Sequence, residues 1–167
     1  MSRERTARRA TAEDQDFLWR LYVSTRVDEL SAFGWPPEQQ EMFLRMQYRA
    51  RCGGYEATYP HAEYTVLLED GLAAGGMIVS RSSAEVRLVD ISILPEYRNR
   101  GYGAHQVSNL VREAAALGLP LRLSVRRENP ARRLYERLGF VSIGQDAMYI
   151  EMERPPTGDS IVHPRPA

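Results

Sequence analysis

The sequence predicts an α/β fold, with a mixed and mostly antiparallel sheet of six to seven strands and about four helices. Apolar residues alternate with polar ones in several segments, as over residues 121–125, which is typical of half-buried strands. Elsewhere apolar residues recur every three or four positions, which indicates helices. A strand, a helix and a strand follow one another over residues 85–125, which predicts a right-handed crossover and one parallel pair.

Length and composition limit the class of protein. The 167 residues suffice for one well-packed domain, which we expect over residues 1–154, followed by a disordered, proline-rich tail over residues 155–167. The hydrophobic fraction of 43 % is that of a globular protein. The 22 basic and 22 acidic residues cancel, which argues against a nucleic-acid or membrane partner. No apolar run approaches the roughly 18 residues of a membrane span, so we expect a cytoplasmic protein.

All 22 basic residues are arginines. A Walker-type phosphate loop and a Schiff-base enzyme both need a lysine, so the composition excludes both. Arginine can still bind phosphate through its guanidinium fork. Cys52 is the only cysteine, which excludes an intrachain disulfide and favours an ordinary free thiol.

The N-terminal third predicts one strand and two helices. A short strand near Thr6–Ala10 precedes Thr11, which is placed to cap a helix that reaches about Leu30. A second helix begins at Pro37, after an aromatic, proline-rich loop. The segment Arg51–His61 is rich in Gly, Tyr and Pro and predicts a loop.

The remainder predicts six strands and two helices. Asp70-Gly71 is typical of a hairpin turn, and Gly75-Gly76 indicates a bulge or the close approach of another backbone. Gly118 is placed to end the first of these helices. In chain order we predict strands Tyr64–Leu68, Leu72–Ser80 and Glu85–Leu94, a helix from near Gly101 to Leu117, a strand Leu121–Val125, a helix after Asn129-Pro130 that ends by Gly139, and a hairpin of Phe140–Ile143 and Met148–Met152.

The segment between the strand that ends at Leu94 and the helix that begins near Gly101 predicts an anion site. It is basic, contains glycine and leads directly into a helix N-terminus. The first N–H groups of a helix have no acceptor within the helix, and the helix dipole adds about half a positive elementary charge there. A phosphate or pyrophosphate group is therefore the expected ligand.

Two interpretations of this glycine motif compete. A dinucleotide-binding turn is disfavoured, because Gly101–Gln106 lacks its third glycine and the loop follows three antiparallel strands. Arg98-x-x-Gly101-x-Gly103, between a strand and a helix, instead resembles the acyl-CoA pyrophosphate loop of the GNAT superfamily of N-acyltransferases. The segment Asn129–Phe140 resembles that family's second conserved element, and the order of predicted elements agrees over most of the chain.

The resemblance implies a twisted sheet whose central parallel pair splays apart, with acetyl-CoA as the acyl donor in the gap. It implies that the backbone of Ile91 and Ile93 pairs with the pantetheine arm. Asn129 and Arg132 are further candidate contacts with the cofactor, and their alternatives are a helix cap and a solvated helix face. The histidines lack ligand spacing, so we expect no metal. The backbone N–H groups expected to bind the pyrophosphate belong to Arg98, Asn99, Arg100, Gly101, Tyr102, Gly103 and Ala104.

Asp90 and Tyr135 are the candidate catalytic residues. Asp90 is a carboxylate in an apolar strand, which is costly unless it faces a cleft or a partner. The resemblance makes Asp90 the base or an acceptor contact, and pairing with Arg26 or Arg87 is the alternative. The resemblance makes Tyr135 the proton donor to the departing thiolate, and a core aromatic is the alternative. The candidate acceptor-binding residues, on and after the two N-terminal helices, are Arg26, Glu29, Trp35, Tyr55 and Tyr59.

These observations predict an N-acetyltransferase that moves an acetyl group from acetyl-CoA to a primary amine by direct transfer in a ternary complex. The acceptor is expected to be a small molecule or a peptide, with no nucleic-acid or membrane partner, and the fold is compatible with a homodimer. Two alternatives stay open on the same fold: a non-catalytic acyl-CoA-binding sensor, and a regulatory or interaction protein.

Overall fold

The computed structural model describes residues 2–156, which form seven strands and five α-helices. The strands are β1 (Arg5–Arg9), β2 (Glu63–Glu69), β3 (Leu72–Arg81), β4 (Val86–Ile93), β5 (Leu121–Arg126), β6 (Val141–Gln145) and β7 (Tyr149–Arg154). The helices are α1 (Gln15–Ser24), α2 (Val27–Ser31), α3 (Pro37–Thr58), α4 (Tyr102–Leu117) and α5 (Ala131–Arg137). Within residues 2–156, no helix is long and apolar enough to cross a membrane.

All seven strands belong to one mixed sheet, in the order β1-β2-β3-β4-β5-β7-β6, with β4 and β5 as its parallel pair. The predicted fold class is therefore confirmed, with one additional short helix. The described residues divide into two compact units, the first formed by residues 2–81 and 87–106, and the second by residues 82–86 and 107–156. The single domain over residues 1–154 and the splay of the parallel pair stay predictions. Of the predicted tail, residues 157–167 lie outside the described residues.

A tight turn and a glycine pair set the geometry of the first unit. β1 pairs with β2 and β2 with β3, both antiparallel. Asp70 and Gly71 have φ angles of +51° and +80°, which form the predicted hairpin turn. The register shifts between Leu67 and Leu68, opposite Gly75, as expected of a bulge. A Cβ on Gly75 would lie 2.5 Å from the Ser92 carbonyl oxygen, so the predicted close backbone approach is also present.

The helical layer of the first unit begins where the sequence indicates. The Asp14 carboxylate accepts the Thr11 N–H at 2.8 Å and two guanidinium hydrogen bonds from Arg8. These bonds hold the pKa of Asp14 well below its usual range. Two apolar clusters then pack under the helices, one of Phe17, Leu21 and Val66 and the other of Tyr22, Leu30 and Leu44.

Two predictions for the helical layer are wrong. The first helix ends at Ser24 rather than near Leu30. At this end the Thr25 hydroxyl donates to the Tyr22 carbonyl oxygen, which competes with further helix formation. The segment Arg51–His61, predicted as a loop, continues α3 as far as Thr58. Each glycine in a helix costs about 1 kcal/mol, but tertiary packing of one helix face contributes more than local propensity.

The second unit follows the predicted pattern closely. β7 lies between β5 and β6 and is antiparallel to both. The alternating residues of β5 are buried together with apolar residues of β7 and the start of the closing hairpin. Gly118 and Gly139 follow the last residues of α4 and α5, with φ angles of +68° and +88°. The buried apolar residues of these strands are Leu121, Leu123, Val125, Phe140, Ile150 and Met152.

We predict that Gly75→Ala lowers the free energy of unfolding by about 1–3 kcal/mol, because the new methyl group would press on the Ser92 carbonyl oxygen. Gly53→Ala is the matched control. Its added Cβ meets no atom within 4 Å in α3, so alanine should raise the free energy of unfolding by about 1 kcal/mol or less. Urea unfolding of both variants measures the difference, and equal effects would contradict the close contact of β3 with β4.

Candidate active site

The predicted anion loop connects β4 to α4 within the first unit. A short 3₁₀ turn, Pro95–Tyr97, follows β4, and Asn99 and Gly101 then take φ angles of +58° and +73°. Gly101 accepts the first helical hydrogen bond of α4, from the His105 N–H at 3.0 Å. The N–H groups at the start of this 16-residue helix therefore have no helical acceptor. Glycine is suited to position 101 because the φ angle of +73° lies in the left-handed region, which residues with a Cβ rarely adopt.

Strands β1 and β2 hold this loop from one side. The Arg5 guanidinium donates to the Arg100 carbonyl oxygen at 2.7 Å and lies 5.2 Å from the Tyr102 ring centroid. Glu69 is only 4 % exposed and forms ion pairs with Arg5 and Arg100, each at 3.7 Å. The Tyr102 hydroxyl donates to the Leu68 carbonyl oxygen. The Arg100 carbonyl oxygen is thus bound from the sheet side of the loop. Of the predicted pyrophosphate donors, the Arg98 N–H already donates to the Pro95 carbonyl oxygen at 3.2 Å, whereas those of the first turn of α4 have no acceptor within the helix.

The other predicted cofactor residues of the first unit lie on the same stretch of chain. Arg98 Nε donates to the Ile93 carbonyl oxygen at 2.8 Å, which folds this side chain back onto β4. Gly103 and Ala104 lie in the first turn of α4, and a Cβ on Gly103 would meet no atom within 4 Å. Ile91 and Ile93 alternate with Asp90 and Ser92 along β4, so their side chains point to the opposite face of the strand.

Asp90 and Ser92 line a cavity of about 50 Å³ within the first unit. The cavity is bounded by residues of α1, α3, β2, β3 and β4. Two of its lining residues are charged, Arg51 and Asp90. Its aromatic lining consists of four tyrosines, Tyr22, Tyr48, Tyr55 and Tyr64.

The partner of Asp90 is Arg51, rather than the Arg26 or Arg87 named as alternatives. Arg51 Nη2 lies 2.5 Å from Asp90 Oδ2, and the Ser92 hydroxyl lies 3.4 Å from the same oxygen. Burial raises the pKa of the Asp90 carboxyl above its ordinary value, although Arg51 and Ser92 act in the opposite direction. A carboxyl with a raised pKa is a better proton acceptor than an exposed one.

Arg51 is itself held by two tyrosines. Its guanidinium carbon lies 5.3 Å from the Tyr22 ring centroid and 5.2 Å from that of Tyr55. Its Nε also donates to the Tyr55 hydroxyl at 3.3 Å. Four residues of this lining are not among those predicted from the sequence: Arg51, Tyr22, Tyr48 and Tyr64. Tyr48, Arg51 and Tyr55 share a helical spacing, which is the signal that identifies this face.

Cys52 lies beside this pair on α3. Burial raises the pKa of the Cys52 thiol, and burial also raises the pKa of the neighbouring Tyr48 hydroxyl to about 12. Both groups therefore stay protonated at neutral pH. This environment is that of an ordinary thiol and not of an activated nucleophile.

Most of the predicted acceptor residues lie outside the cavity lining. Arg26 pairs with Glu29 at 2.8 Å, and Trp35 packs between Phe33 and Phe43. Tyr59 lies at the C-terminal end of α3. Of the five candidates, Tyr55 alone lines the cavity.

Tyr135, Asn129 and Arg132 belong to the second unit. Tyr135 is 7 % exposed, and its ring centroid lies 5.7 Å from that of Phe140. Asn129 Oδ1 accepts the Ala131 N–H at 2.9 Å, as a residue at a helix start does. Arg132 pairs with Glu136 one turn further along α5, at 2.9 Å. Within residues 2–156, no group of three or more His, Cys, Asp or Glu residues is arranged to hold a metal ion.

The family model described as the acetyltransferase (GNAT) family matches residues 12–140. The chain belongs to the acetyltransferase (GNAT) family. The predicted resemblance is thereby confirmed, and so is the class of enzyme, an acyltransferase. The match includes the loop, Asp90 and Tyr135, and it ends at the first residue of the predicted closing hairpin.

One curated relative and two solved structures illustrate the relationship. The [ribosomal protein bS18]-alanine N-acetyltransferase of Haemophilus influenzae is 36 % identical over 75 residues, which are 44 % of this chain and 51 % of that protein. The match therefore spans about half the length of the relative. The PaiA N-acetyltransferase of Thermoplasma acidophilum, solved in complex with coenzyme A, is 18 % identical with a TM-score of 0.67, over 91 % of this chain and 99 % of that chain. The Escherichia coli ribosomal-protein-S18-alanine N-acetyltransferase is 18 % identical with a TM-score of 0.59, over 97 % and 100 % of the two chains. At these identities the structures show a shared fold.

We predict that Arg51→Met lowers the free energy of unfolding by about 1–3 kcal/mol at pH 7, because it leaves the Asp90 carboxylate without its cation. Without Arg51, burial raises the pKa of Asp90 further above its value in the unfolded chain. The loss in the free energy of unfolding is therefore present at neutral pH. It becomes smaller as the pH falls through the raised pKa, because Asp90 is then protonated and no longer needs a cation. Arg45→Met, on the exposed face of α3, is the control. Urea unfolding at several pH values tests this, and a deficit independent of pH would contradict the pairing.

Proposed function

We propose that this chain is an N-acetyltransferase that moves an acetyl group from acetyl-CoA to a primary amine by direct transfer in a ternary complex. The observation that carries the proposal is the course of β4 into α4. Along this one stretch lie the half-buried carboxylate of Asp90, beside a cavity, and a glycine loop at a helix N-terminus. A family member of the same fold is solved in complex with coenzyme A, which supports the choice of donor.

The loop fits the pyrophosphate of coenzyme A. Arg5 donates to the Arg100 carbonyl oxygen on the sheet side, so the partial negative charge of this oxygen is satisfied by a cation. No atom occupies the space that a Cβ of Gly103 would enter. The backbone of residues 98–104 would bind the pyrophosphate, that of Ile91 and Ile93 would pair with the pantetheine arm, and Asn129 and Arg132 would add contacts. When bound, the thioester supplies the acetyl group and the thiol leaving group.

Asp90 is proposed as the base that takes the proton of the acceptor amine. An amine with a pKa near 10.4 is almost fully protonated at pH 7, about three pH units below its pKa. Removing its proton at this pH therefore costs roughly 4 kcal/mol. A carboxylate whose pKa is raised by burial reduces this cost, because it holds a proton more readily than an exposed one. Ser92 and Arg51 orient the Asp90 carboxylate beside the cavity.

Tyr135 is proposed as the hydrogen-bond donor to the departing sulfur. With pKa values of about 10 for tyrosine and 8.5 for a thiol, complete proton transfer is uphill by roughly 2 kcal/mol. A hydrogen bond that strengthens as charge develops on sulfur is therefore the better description of its role. Phe140 packs against the ring and restricts its orientation.

The acceptor is proposed to be a small-molecule or peptide amine that enters the cavity beside Asp90, with Arg26, Glu29, Trp35 and Tyr59 as outer candidates. The Haemophilus influenzae relative is named as an N-acetyltransferase of an alanine of ribosomal protein bS18, which supports a peptide amine. We also propose a cytoplasmic location and a homodimer, with no nucleic-acid, membrane or metal partner.

A second candidate function, an acyl-CoA-binding sensor, is favoured by the Arg51–Asp90 pair, because an ion-paired carboxylate is a weaker base. The two functions differ in turnover. A transferase releases free thiol from acetyl-CoA when an acceptor amine is added, whereas a sensor binds acetyl-CoA and releases none. The chain has no lysine, so acetylation of its own lysine side chains does not contribute to the signal.

We predict that Gly103→Val abolishes measurable binding of acetyl-CoA, a loss of at least about 100-fold, because the side chain would occupy the space proposed for a phosphate. Isothermal titration calorimetry measures it. Gly54→Val is the matched control, since its added Cβ also meets no atom within 4 Å but lies on α3. Unchanged affinity in Gly103→Val would show that the pyrophosphate does not bind here.

We predict that Asp90→Asn lowers kcat/KM by about 10²–10⁴-fold, as expected for removal of a general base. A base acts in its deprotonated form, so the wild-type rate should rise with pH through the raised pKa of Asp90, and the variant should lose this rise. Glu96→Gln, six residues further along the chain, is the control. The base assignment fails if the pH–rate profile of Asp90→Asn keeps its acidic limb.

We predict that Tyr135→Phe lowers kcat by about 10²-fold and leaves the KM for acetyl-CoA nearly unchanged, because only the hydroxyl is removed and the packing on Phe140 is retained. Tyr149→Phe, an exposed tyrosine on β7, should turn over like the wild type. Undiminished turnover of Tyr135→Phe would leave this residue as a core aromatic alone.

A further inference from the structure

We propose that Arg51 selects the acceptor, so that the cavity favours amines with a single positive charge and disfavours diamines and polyamines. The favoured class is an α-amine that stands beside a neutral or anionic polar group, as in an amino-acid amide or a peptide. This inference rests on the proposed function, because it places the acceptor amine beside Asp90.

Arg51 is a fixed charge of the cavity lining rather than a mobile surface cation. Three groups position its guanidinium: the Asp90 carboxylate at 2.5 Å, the Tyr55 hydroxyl at 3.3 Å, and the faces of two tyrosine rings at 5.2 and 5.3 Å. Its side chain is 24 % exposed. A cation held between aromatic faces and a carboxylate cannot easily move away from a second cation.

The charge balance of the cavity changes when the acceptor binds. Arg51 and Asp90 are the charged residues of the lining, and as an ion pair they cancel. When the acceptor is bound as the neutral amine and its proton is held by Asp90, the positive charge of Arg51 is left uncompensated in the complex. A second ammonium about 6 Å from the guanidinium, at an effective dielectric constant of about 40, then loses roughly tenfold in affinity.

A buried hydroxyl indicates what should stand beside the amine instead. Tyr22 is only 3 % exposed and lines the cavity, and within residues 2–156 its hydroxyl donates to no acceptor. The Arg26 guanidinium lies near this hydroxyl but can only donate to it, so the buried O–H is left without an acceptor, which is unfavourable. A carbonyl or carboxylate next to the acceptor amine would satisfy this donor and would also be attracted by Arg51.

A matched pair of probes tests the proposal. L-Norleucine amide and L-lysine amide share a chain length and an α-amine, but lysine amide carries a second ammonium. Isothermal titration calorimetry in the presence of coenzyme A gives the ratio of their dissociation constants for the wild type, Arg51→Met, Arg51→Lys and the exposed control Arg45→Met. The wild type and Arg45→Met should prefer norleucine amide by about tenfold. Arg51→Met should lose that preference, and Arg51→Lys, which keeps the charge, should retain most of it.

The outcomes separate this inference from the proposed function. An equal ratio in Arg51→Met and the wild type, or failure of the wild type to bind either amide, overturns the role of Arg51. If Arg51→Met does not fold, Arg51→Gln gives the neutral comparison, and a wild type without preference still overturns the inference. Thiol release from acetyl-CoA is followed in parallel. If no amine causes thiol release, the proposed transferase function is contradicted. A ratio of dissociation constants that changes in Arg51→Met would in that case still support Arg51 as the charge that selects the ligand.

Discussion

The half-buried ion pair of Arg51 and Asp90 is the constraint on which the first unit depends. A carboxylate cannot lie inside an apolar strand without a partner, and its partner stands on α3, in a segment that contains two glycines and would otherwise be a poor helix. The helix continues past Gly53 and Gly54 and so brings the Tyr55 hydroxyl within hydrogen-bond distance of Arg51. The face of α3 that carries Arg51 brings tyrosines around the guanidinium and leaves the cavity beside Asp90.

A similar arrangement holds the glycine loop. Glu69 is nearly fully buried, and arginines from β1 and from the loop share its charge. Arg5 links the two, since it pairs with Glu69 and also donates to a loop carbonyl oxygen. Because all the basic residues are arginines, each can bind a carboxylate and a backbone oxygen at once through its fork of donors. The loop is thus held by groups that need not touch a ligand.

The glycine loop and the cavity beside Asp90 offer different chemical groups to a ligand. The loop offers backbone donors, which suits an anion whatever the side chains around it are. The cavity offers a carboxylate whose basicity is raised by burial and lowered by Arg51, so its proton affinity is a compromise between the two. In the proposed transferase, this compromise would couple proton removal to the choice of acceptor, because the same guanidinium tunes the base and repels a second cation.

The sequence by itself determined the features that depend on local backbone conformation and on periodicity. Four features follow from φ preferences or from side-chain spacing: the turn at Asp70-Gly71, the bulge at Gly75, the alternation in β5 and the glycine loop before α4. Only the tertiary structure decided the early end of α1, the length of α3 and the partner of Asp90. These depend on contacts between residues distant in sequence, such as that of Arg51 with Asp90, which the local preferences of Gly53 and Gly54 do not include. The arginine that pairs with Asp90 could therefore not be chosen among 22 without the packing that surrounds it.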